Sequence, residues 1–173
     1  VGGAVTMNAG AYGGEIAQVL LRVVCLERDG TKRVYSGTNC DLRYRHSRFS
    51  GGGSLICQAV FALTEGDREE ISARMEDFAG RRKAKQPLDL PSAGSTFKRP
   101  EGHFAAALIE ECGLKGFRVG GAQVSEKHAG FVVNTGGASC ADILTLIGEV
   151  RRRVKERTGV TLELEVKTLG VLE

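Results

Sequence analysis

The chain is organised around one short stretch, SAGSTFKRP at residues 92–100. The stretch is polar and rich in small residues, and it has neither a helical nor a strand period. Gly94 lets the backbone adopt a positive φ or approach a ligand closely, so Ser95 would be presented on a turn. Lys98 and Arg99 add positive charge. Two interpretations stay open from these residues alone, a surface turn and a ligand-binding loop.

The composition is that of a globular protein, with 173 residues of which 42% are apolar and 26% charged. A net charge of +3 is too small to indicate binding to nucleic acid or a membrane surface. The five cysteines are scattered without a C-x-x-C pair, which indicates reduced thiols rather than disulfides or a zinc site. No apolar run approaches the roughly 18 residues of a membrane span. We expect a cytoplasmic monomer without metal.

The first sixteen residues read VGGAVTMNAGAYGGEI and lack an initiator methionine. Four glycines among the first thirteen residues argue against a helix. Backbone amides in such a loop can cradle a phosphate or a planar ring, and a flexible start is the simpler alternative. A chain that begins inside a glycine-rich run is expected to be a fragment or a truncated frame.

The next segments predict β structure. Residues 17–36 alternate as a β-hairpin that turns at Asp29-Gly30, with apolar side chains on both faces, so we expect both to be covered. Residues 41–50 are polar, and Tyr44 beside Arg45 suits either an anion-binding pair or a solvated basic turn. Leu55–Leu63 reads as a buried strand.

A helix is predicted to begin at Asp67, a good N-cap, and to end near Gly80. Gln86-Pro87 then breaks the chain, and we place a domain boundary there. The apolar stripe that we expect to pack consists of Ile71, Met75 and Phe78.

The second half predicts helices at His103–Cys112, with Phe104 on its apolar stripe, and from Ser139 to Gly159. Residues 118–128 form a polar, glycine-containing stretch, and Phe131–Asn134 reads as a short strand. The last predicted strand covers Val160–Leu169 and places Glu163 and Glu165 on its polar face. Those two side chains are either exposed carboxylates or, for one of them, a catalytic acid or charge partner.

Taken together, these stretches closely resemble the MurB family of flavoenzymes, the UDP-N-acetylenolpyruvoylglucosamine reductases of peptidoglycan precursor synthesis. The resemblance runs almost end to end, and its motifs stand in the family's order. One departure is Leu42-Arg43, where the family usually has an aromatic residue followed by glycine. The motifs that carry the resemblance are VGGAVTMNAGAYGGEI, YRHSRF, KQPLDLPSAGSTFKRP, GLKGFRVGGAQVSEKHAGFVVNTGGAS and LELEVKTLG.

The resemblance implies an enzyme in which NADPH reduces bound FAD, and the flavin passes hydride to an enolpyruvyl ether on a UDP-sugar. Ser95 matches the proton donor, Arg45 the arginine that stabilises the enolate carboxylate, and Glu165 the third catalytic residue. Lys85 and Tyr44 match substrate-binding positions. The candidates for flavin contact are Val1, Gly2, Gly3, Ala4, Asn8, Ala9 and Gly10.

The implied fold is α+β: part of an FAD-binding, PCMH-like domain over residues 1–80, followed by a compact α/β substrate-binding domain over residues 87–173. The family's upstream FAD-binding loop is not present in this sequence. We therefore expect this chain alone to bind FAD weakly or not at all. Two alternatives to an active enzyme remain, a non-catalytic UDP-sugar-binding fragment and an inactive product of low solubility.

Overall fold

The computed structural model describes residues 1–170, which form a mixed α/β structure with two compact units. The division falls between Met75 and Glu76, inside helix α2 (Arg68–Lys85). It therefore lies before the break expected at Gln86-Pro87. The predicted N-cap is confirmed, because Asp67 Oδ1 accepts hydrogen bonds from the backbone N–H groups of the second and third helical residues, at 2.9 and 3.0 Å.

The first unit contains a helix, a two-stranded ribbon and a three-stranded antiparallel sheet in the order β4-β3-β5. The predicted hairpin is confirmed: β3 and β4 pair across the turn that contains Asp29-Gly30. The elements are α1 (Gly2–Thr6), β1 (Gly10–Ala11), β2 (Gly14–Glu15), β3 (Leu20–Glu27), β4 (Lys32–Ser36) and β5 (Ser54–Phe61).

Helix α1 contradicts the expectation that the glycine-rich start would not be helical. Val5 is fully buried in the core of this unit, and a Cβ on Gly2 would lie 3.9 Å from Ile56 on β5. Thr6 Oγ1 also donates a hydrogen bond to the carbonyl of Gly2 at 3.0 Å. Packing against the sheet therefore outweighs the low helix propensity of glycine.

The sheet of the first unit is well covered on one face and only partly on the other, where Val24 is 8% exposed, so the expectation of a hairpin covered on both faces holds only in part. Val23 and Cys25 of β3 are fully buried, whereas Leu21 and Val34 are more than half exposed. β5 is an edge strand, and Leu55 on it is 65% exposed, so this strand is not the buried one that we expected.

Helix α2 departs from the sequence prediction in length and in packing. It continues through Gly80 to Lys85 and stops before Pro87. None of its residues is buried, and Met75 is 68% exposed, so the predicted apolar stripe does not pack against a core within the described residues 1–170. A 3.6-residue period identifies a helix, but it cannot show that a partner surface is present.

The second unit is a four-stranded antiparallel sheet, ordered β6-β9-β8-β7, with two complete helices and the C-terminal part of α2. The predicted strand Phe131–Asn134 is confirmed, and the polar stretch from residue 118 is a tight hairpin. A Cβ on Gly121 in that hairpin would lie 2.5 Å from the backbone nitrogen of Ala138, so only glycine fits. The elements are β6 (Ser92–Ser95), α3 (Ala105–Glu111), β7 (Arg118–Val119), β8 (Ala122–Val124), β9 (Phe131–Asn134) and α4 (Cys140–Thr158).

The long helix α4 begins and ends where the sequence predicts. Ser139 and Asp142 form a capping box at its start, and Gly159 closes it with a φ of 74°. Its inner face supplies the centre of the core, and Leu162 from the following segment is fully buried with it. The buried residues of the helix are Leu146, Ile147, Val150 and Val154.

Three further expectations in the second unit need correction. Residues 160–169 do not form a regular strand, and within them only Leu164 forms a β-bridge, to Phe97. Residues 92–95 do form a strand, although they lack a hydrophobic period. Phe104 is 61% exposed because it lies before α3 rather than in it, with the Arg99 guanidinium 4.0 Å from its ring centroid.

Candidate functional site

Ser95 ends strand β6, and its side chain is exposed. The strand pairs with β9 through Ser92 and Ser95, with an irregularity between them where Gly94 takes a φ of 87°. This confirms the positive φ that we considered for Gly94, a backbone conformation that glycine adopts more readily than other residues. Ser95 is thus held by a sheet at one end of a bulge, with its hydroxyl directed to solvent rather than packed in the core.

Thr96 joins three segments around Ser95. Its N–H donates to the carbonyl of Gly130 at 2.8 Å, and its Oγ1 accepts from the N–H of Val132 at 3.1 Å. Its carbonyl accepts a hydrogen bond from the N–H of Glu165 at 2.9 Å. Because Thr96 is buried, these bonds fix the backbone of Ser95 and Glu165 relative to each other. Nothing in the sequence marks Thr96, since its role depends on partners more than thirty residues away.

The two glutamates of the last segment have different environments. Glu163 is exposed and its carboxylate forms an ion pair with the Lys98 ammonium group at 3.1 Å. Glu165 is half-buried and hydrogen-bonded to Thr96 through its backbone. Of the two, Glu165 pairs nearer to Ser95, because its N–H bonds to the Thr96 carbonyl whereas the Glu163 carbonyl accepts from Lys98 N–H.

Lys85 is the exposed last residue of α2 and belongs to the same unit as Ser95. The end of this helix is held by Lys127, whose Nζ donates to the carbonyl of Lys83 at 2.8 Å. Burial lowers the pKa of neighbouring His128, and its Nδ1 accepts a hydrogen bond from Gly130 N–H at 3.1 Å. The imidazole is therefore neutral near pH 7 and carries its proton on Nε2.

A mainly apolar cavity of about 450 Å³ opens beside β6. Its walls come from β6, β9, α4 and the segment 166–169, and they include Ala93, Thr96 and Ile143. The cavity adjoins the strand that carries Ser95, and the Ser95 side chain itself does not line it. An apolar group bound there would contact the same β6 backbone that presents the serine hydroxyl.

In the first unit, Tyr44 and Arg45 form the tip of a tight turn. The backbone N–H and carbonyl groups of Arg43 and His46 bond to each other in both directions at 3.1 Å. Arg45 takes a left-handed φ of 53°, is half-buried, and places its guanidinium 5.2 Å from the Tyr44 ring centroid. This distance suits a cation–π contact.

The other basic side chains near this turn have structural partners. Arg43 donates to the Asp41 carboxylate at 2.8 Å, and His46 Nε2 lies 3.2 Å from the same carboxylate. The hydrogen bond from Arg43 is the main reason that the pKa of Asp41 lies below its usual value. Arg48 stacks on Tyr35 at 3.7 Å. The structure thus assigns structural contacts to Arg43, His46 and Arg48.

The candidate flavin-binding residues fall into two groups. Gly2, Gly3 and Ala4 form the first turn of α1, before the first intrahelical bond from Val5 N–H to the Val1 carbonyl at 3.0 Å. Amides in a first helical turn have no partner within their own helix.

The second group is bonded within the protein. Ala9 donates to the Ala4 carbonyl at 2.8 Å and accepts from Ile16 N–H at 3.1 Å. Gly10 pairs with Glu15 in the β1–β2 ribbon, and Asn8 is buried. Residues 8–10 therefore shape the loop, while residues 1–4 leave backbone donors available.

The two units each hold part of the predicted set. Ser95, Glu165 and Lys85 belong to the second unit, and Thr96 links the first two through the backbone. Tyr44, Arg45 and the glycine-rich loop belong to the first unit.

Over residues 1–170, the structure shows no helix with the length and apolar character needed to cross a membrane. The same residues hold no cluster of three or more histidine, cysteine or acidic side chains suited to a metal ion. All five cysteines are free thiols.

Comparison with known sequences identifies relatives that carry the same protein name. Residues 86–169 match the family model for the C-terminal domain of UDP-N-acetylenolpyruvoylglucosamine reductase. The protein of that name from Clostridium novyi (strain NT) is 54% identical over 170 residues, which cover 98% of this chain and 55% of the relative. The corresponding protein from Limosilactobacillus fermentum is 51% identical over 170 residues, which cover 98% of this chain and 57% of that relative. The chain thus spans a little over half the length of these relatives.

A solved structure agrees with the sequence comparison. The crystal structure of UDP-N-acetylenolpyruvylglucosamine reductase (MurB) from Thermus caldophilus superposes with a TM-score of 0.82 at 41% identity. The match covers 96% of this chain and 59% of the Thermus protein. By sequence and by fold, the chain belongs to the MurB family of UDP-N-acetylenolpyruvoylglucosamine reductases.

Proposed function

We propose that this chain contributes the catalytic residues of a UDP-N-acetylenolpyruvoylglucosamine reductase, which forms UDP-N-acetylmuramate for peptidoglycan with FAD as cofactor and NADPH as reductant. The observation that carries the proposal is the junction at Thr96, which holds the exposed Ser95 beside Glu165. In this proposal, the first unit is part of an FAD-binding domain and the second binds the UDP-sugar. The expected domain bounds, monomeric state and cytoplasmic location remain predictions.

Each proposed role follows from side-chain chemistry. A bound flavin would supply the hydride for the vinyl carbon of the enolpyruvyl ether. The Ser95 hydroxyl then donates a proton to the neighbouring carbon, where negative charge develops. The Arg45 guanidinium pairs with the carboxylate of the enolpyruvyl group, because its planar fork can donate two parallel hydrogen bonds to a carboxylate. Glu165 orients the proton donor, and Lys85 pairs with the diphosphate.

The residues of the first unit fit an FAD ring system near the start of α1. A Cβ on Gly3 would meet no atom within 4 Å, so the space beside this backbone is open. Gly3 and its neighbours Gly2 and Ala4 direct first-turn amides that can donate to carbonyl or phosphate oxygens. These residues would hold the flavin through backbone atoms.

The test is substrate-dependent oxidation of NADPH by the 173-residue chain supplied with FAD. Ser95→Ala should lower the rate by about 10²–10⁴-fold, the usual contribution of a positioned proton donor. Ser72→Ala is the control, since Ser72 is an exposed serine on α2 that does not line the cavity beside β6. Equal activity in the two variants would refute the role of Ser95. A wild-type chain that binds FAD but does not oxidise NADPH with substrate would refute the reductase activity.

Binding of a UDP-sugar without catalysis is the second candidate, because the matched family model covers the second unit rather than the whole chain. Calorimetric titration with UDP-N-acetylglucosamine, without FAD, tests this candidate. Lys85→Ala should weaken binding, whereas Lys83→Ala should not, because Lys83 contacts Lys127 through its backbone carbonyl, which alanine retains. Equal affinities in the two variants would exclude Lys85 from the binding site.

A further inference from the structure

Asn8 links the glycine-rich loop to the turn that carries Arg45. Its side-chain Oδ1 accepts a hydrogen bond from Ala17 N–H at 2.9 Å, and its Nδ2 donates to the Arg43 carbonyl at 3.3 Å. A backbone donor on one side and a backbone acceptor on the other permit only one orientation of the amide group. Asn8 is 2% exposed, so both bonds are shielded from water.

The bond to Arg43 acts at the base of the turn. The same Arg43 carbonyl accepts the N–H of His46 at 3.1 Å, which closes the turn around Tyr44 and Arg45. Asn8 therefore contacts the backbone that determines the direction of the Arg45 side chain. Its own backbone has a φ of 44°, a conformation that asparagine, aspartate and glycine tolerate better than other residues.

A second set of hydrogen bonds joins the same two segments. Ser47, which is 1% exposed, donates its hydroxyl to the Thr6 carbonyl at 2.6 Å, and Ser50 donates to the same carbonyl at 3.1 Å. Thr6 is the last residue of α1. The segment 6–8 is thus joined to both sides of the Tyr44-Arg45 turn, through residues 35 to 44 positions away in the chain.

We infer that Asn8 is a positioning residue for Arg45, and that its side chain does not contact the cofactor. The two hydrogen bonds direct the carboxamide into the protein, between the loop and the turn. The importance of Arg45 to the reaction rests on the proposed function, whereas its positioning by Asn8 does not.

Asn8→Gly and Asn8→Asp separate the contributions of this side chain. Glycine retains the left-handed backbone and removes both hydrogen bonds. Aspartate retains an acceptor for Ala17 N–H, removes the donor to Arg43 and places a carboxylate oxygen against the Arg43 carbonyl. Thr6→Val is the matched control, because the Thr6 hydroxyl bonds within α1 and its carbonyl is unchanged.

Amide hydrogen exchange by NMR provides the readout. Both Asn8 variants should speed exchange at His46 by about 5- to 150-fold and shift the Arg45 Nε–H resonance, while amides of β3 stay protected. Thr6→Val should leave His46 unchanged. A uniform loss of protection across the first unit, or an unchanged His46 in either variant, would overturn the inference. The NADPH oxidation assay is a separate measurement: a wild-type chain that binds FAD but does not oxidise NADPH with substrate would refute the proposed function and leave the exchange result standing.

Discussion

Replacing Thr96 with valine tests the junction that holds Ser95 beside Glu165. Valine has nearly the same shape and suits an extended backbone, so the change removes a hydroxyl and little else. The N–H of Val132 then loses its acceptor, Thr96 Oγ1, in a buried position. An unsatisfied buried donor costs about 1–3 kcal/mol. In a domain of this size, each kcal/mol lowers Tm by about 4–8 °C.

Urea unfolding and hydrogen exchange at Val132 would measure the effect. Exchange at that amide should be about 5- to 150-fold faster, because opening becomes easier by the same free energy. Thr96→Ser keeps the acceptor and should leave Val132 protected. Thr161→Val changes an exposed threonine and should alter the free energy of unfolding by less than about 0.5 kcal/mol. Unchanged protection of Val132 in Thr96→Val would refute the assignment of Thr96 as the junction.

Three further predictions concern the second unit. Ser139→Ala should cost about 1 kcal/mol by removing the α4 cap, and Ser139→Asp should restore most of it, as measured by urea midpoints. Leu162→Ala should cost roughly 2–5 kcal/mol at a fully buried position, whereas Leu169→Ala, at a site 94% exposed, should have little effect on the same midpoint. The pKa of Glu149 is lowered from 4.5 to about 2, mainly by the hydrogen bond from Arg152. Its carboxylate therefore stabilises the fold fully above pH 4.5 and loses that contribution as the pH falls towards 2. Glu149→Gln should therefore reduce the loss of stability over that interval in acid titrations, and an unchanged acid limb would contradict this prediction.

Local signals in the sequence gave the best predictions. The capping pair Ser139 and Asp142 is three residues apart, and Gly159 needs only its own left-handed φ, so neither depends on distant parts of the chain. The hairpin at Asp29-Gly30 is likewise specified by neighbouring residues. The glycine at position 94 was predicted to allow a positive φ for the same reason.

Predictions that depended on distant partners were less successful. Helix α1 forms because Val5 is buried in the core of the first unit, and the local glycine-rich sequence does not indicate that contact. The apolar period of α2 correctly indicates a helix, but burial requires a second surface that a period cannot specify. In the candidate site, the resemblance proposed Ser95, Glu165 and Asn8, but it could not show the hydrogen bonds that Thr96 and Asn8 make to residues far along the chain.

The pairing of residues 96–98 with residues 163–165 also sets an order of events during synthesis. Lys98 and Glu163 are 65 positions apart, and all of β7, β8, β9 and α4 is made between them. A nascent chain can assemble the hairpin and begin to pack α4 before Leu162 and Glu165 leave the ribosome. The strand that carries Ser95 can therefore be paired in the sheet before Glu165 reaches it. This part of the candidate site forms only after most of the unit's core is in place.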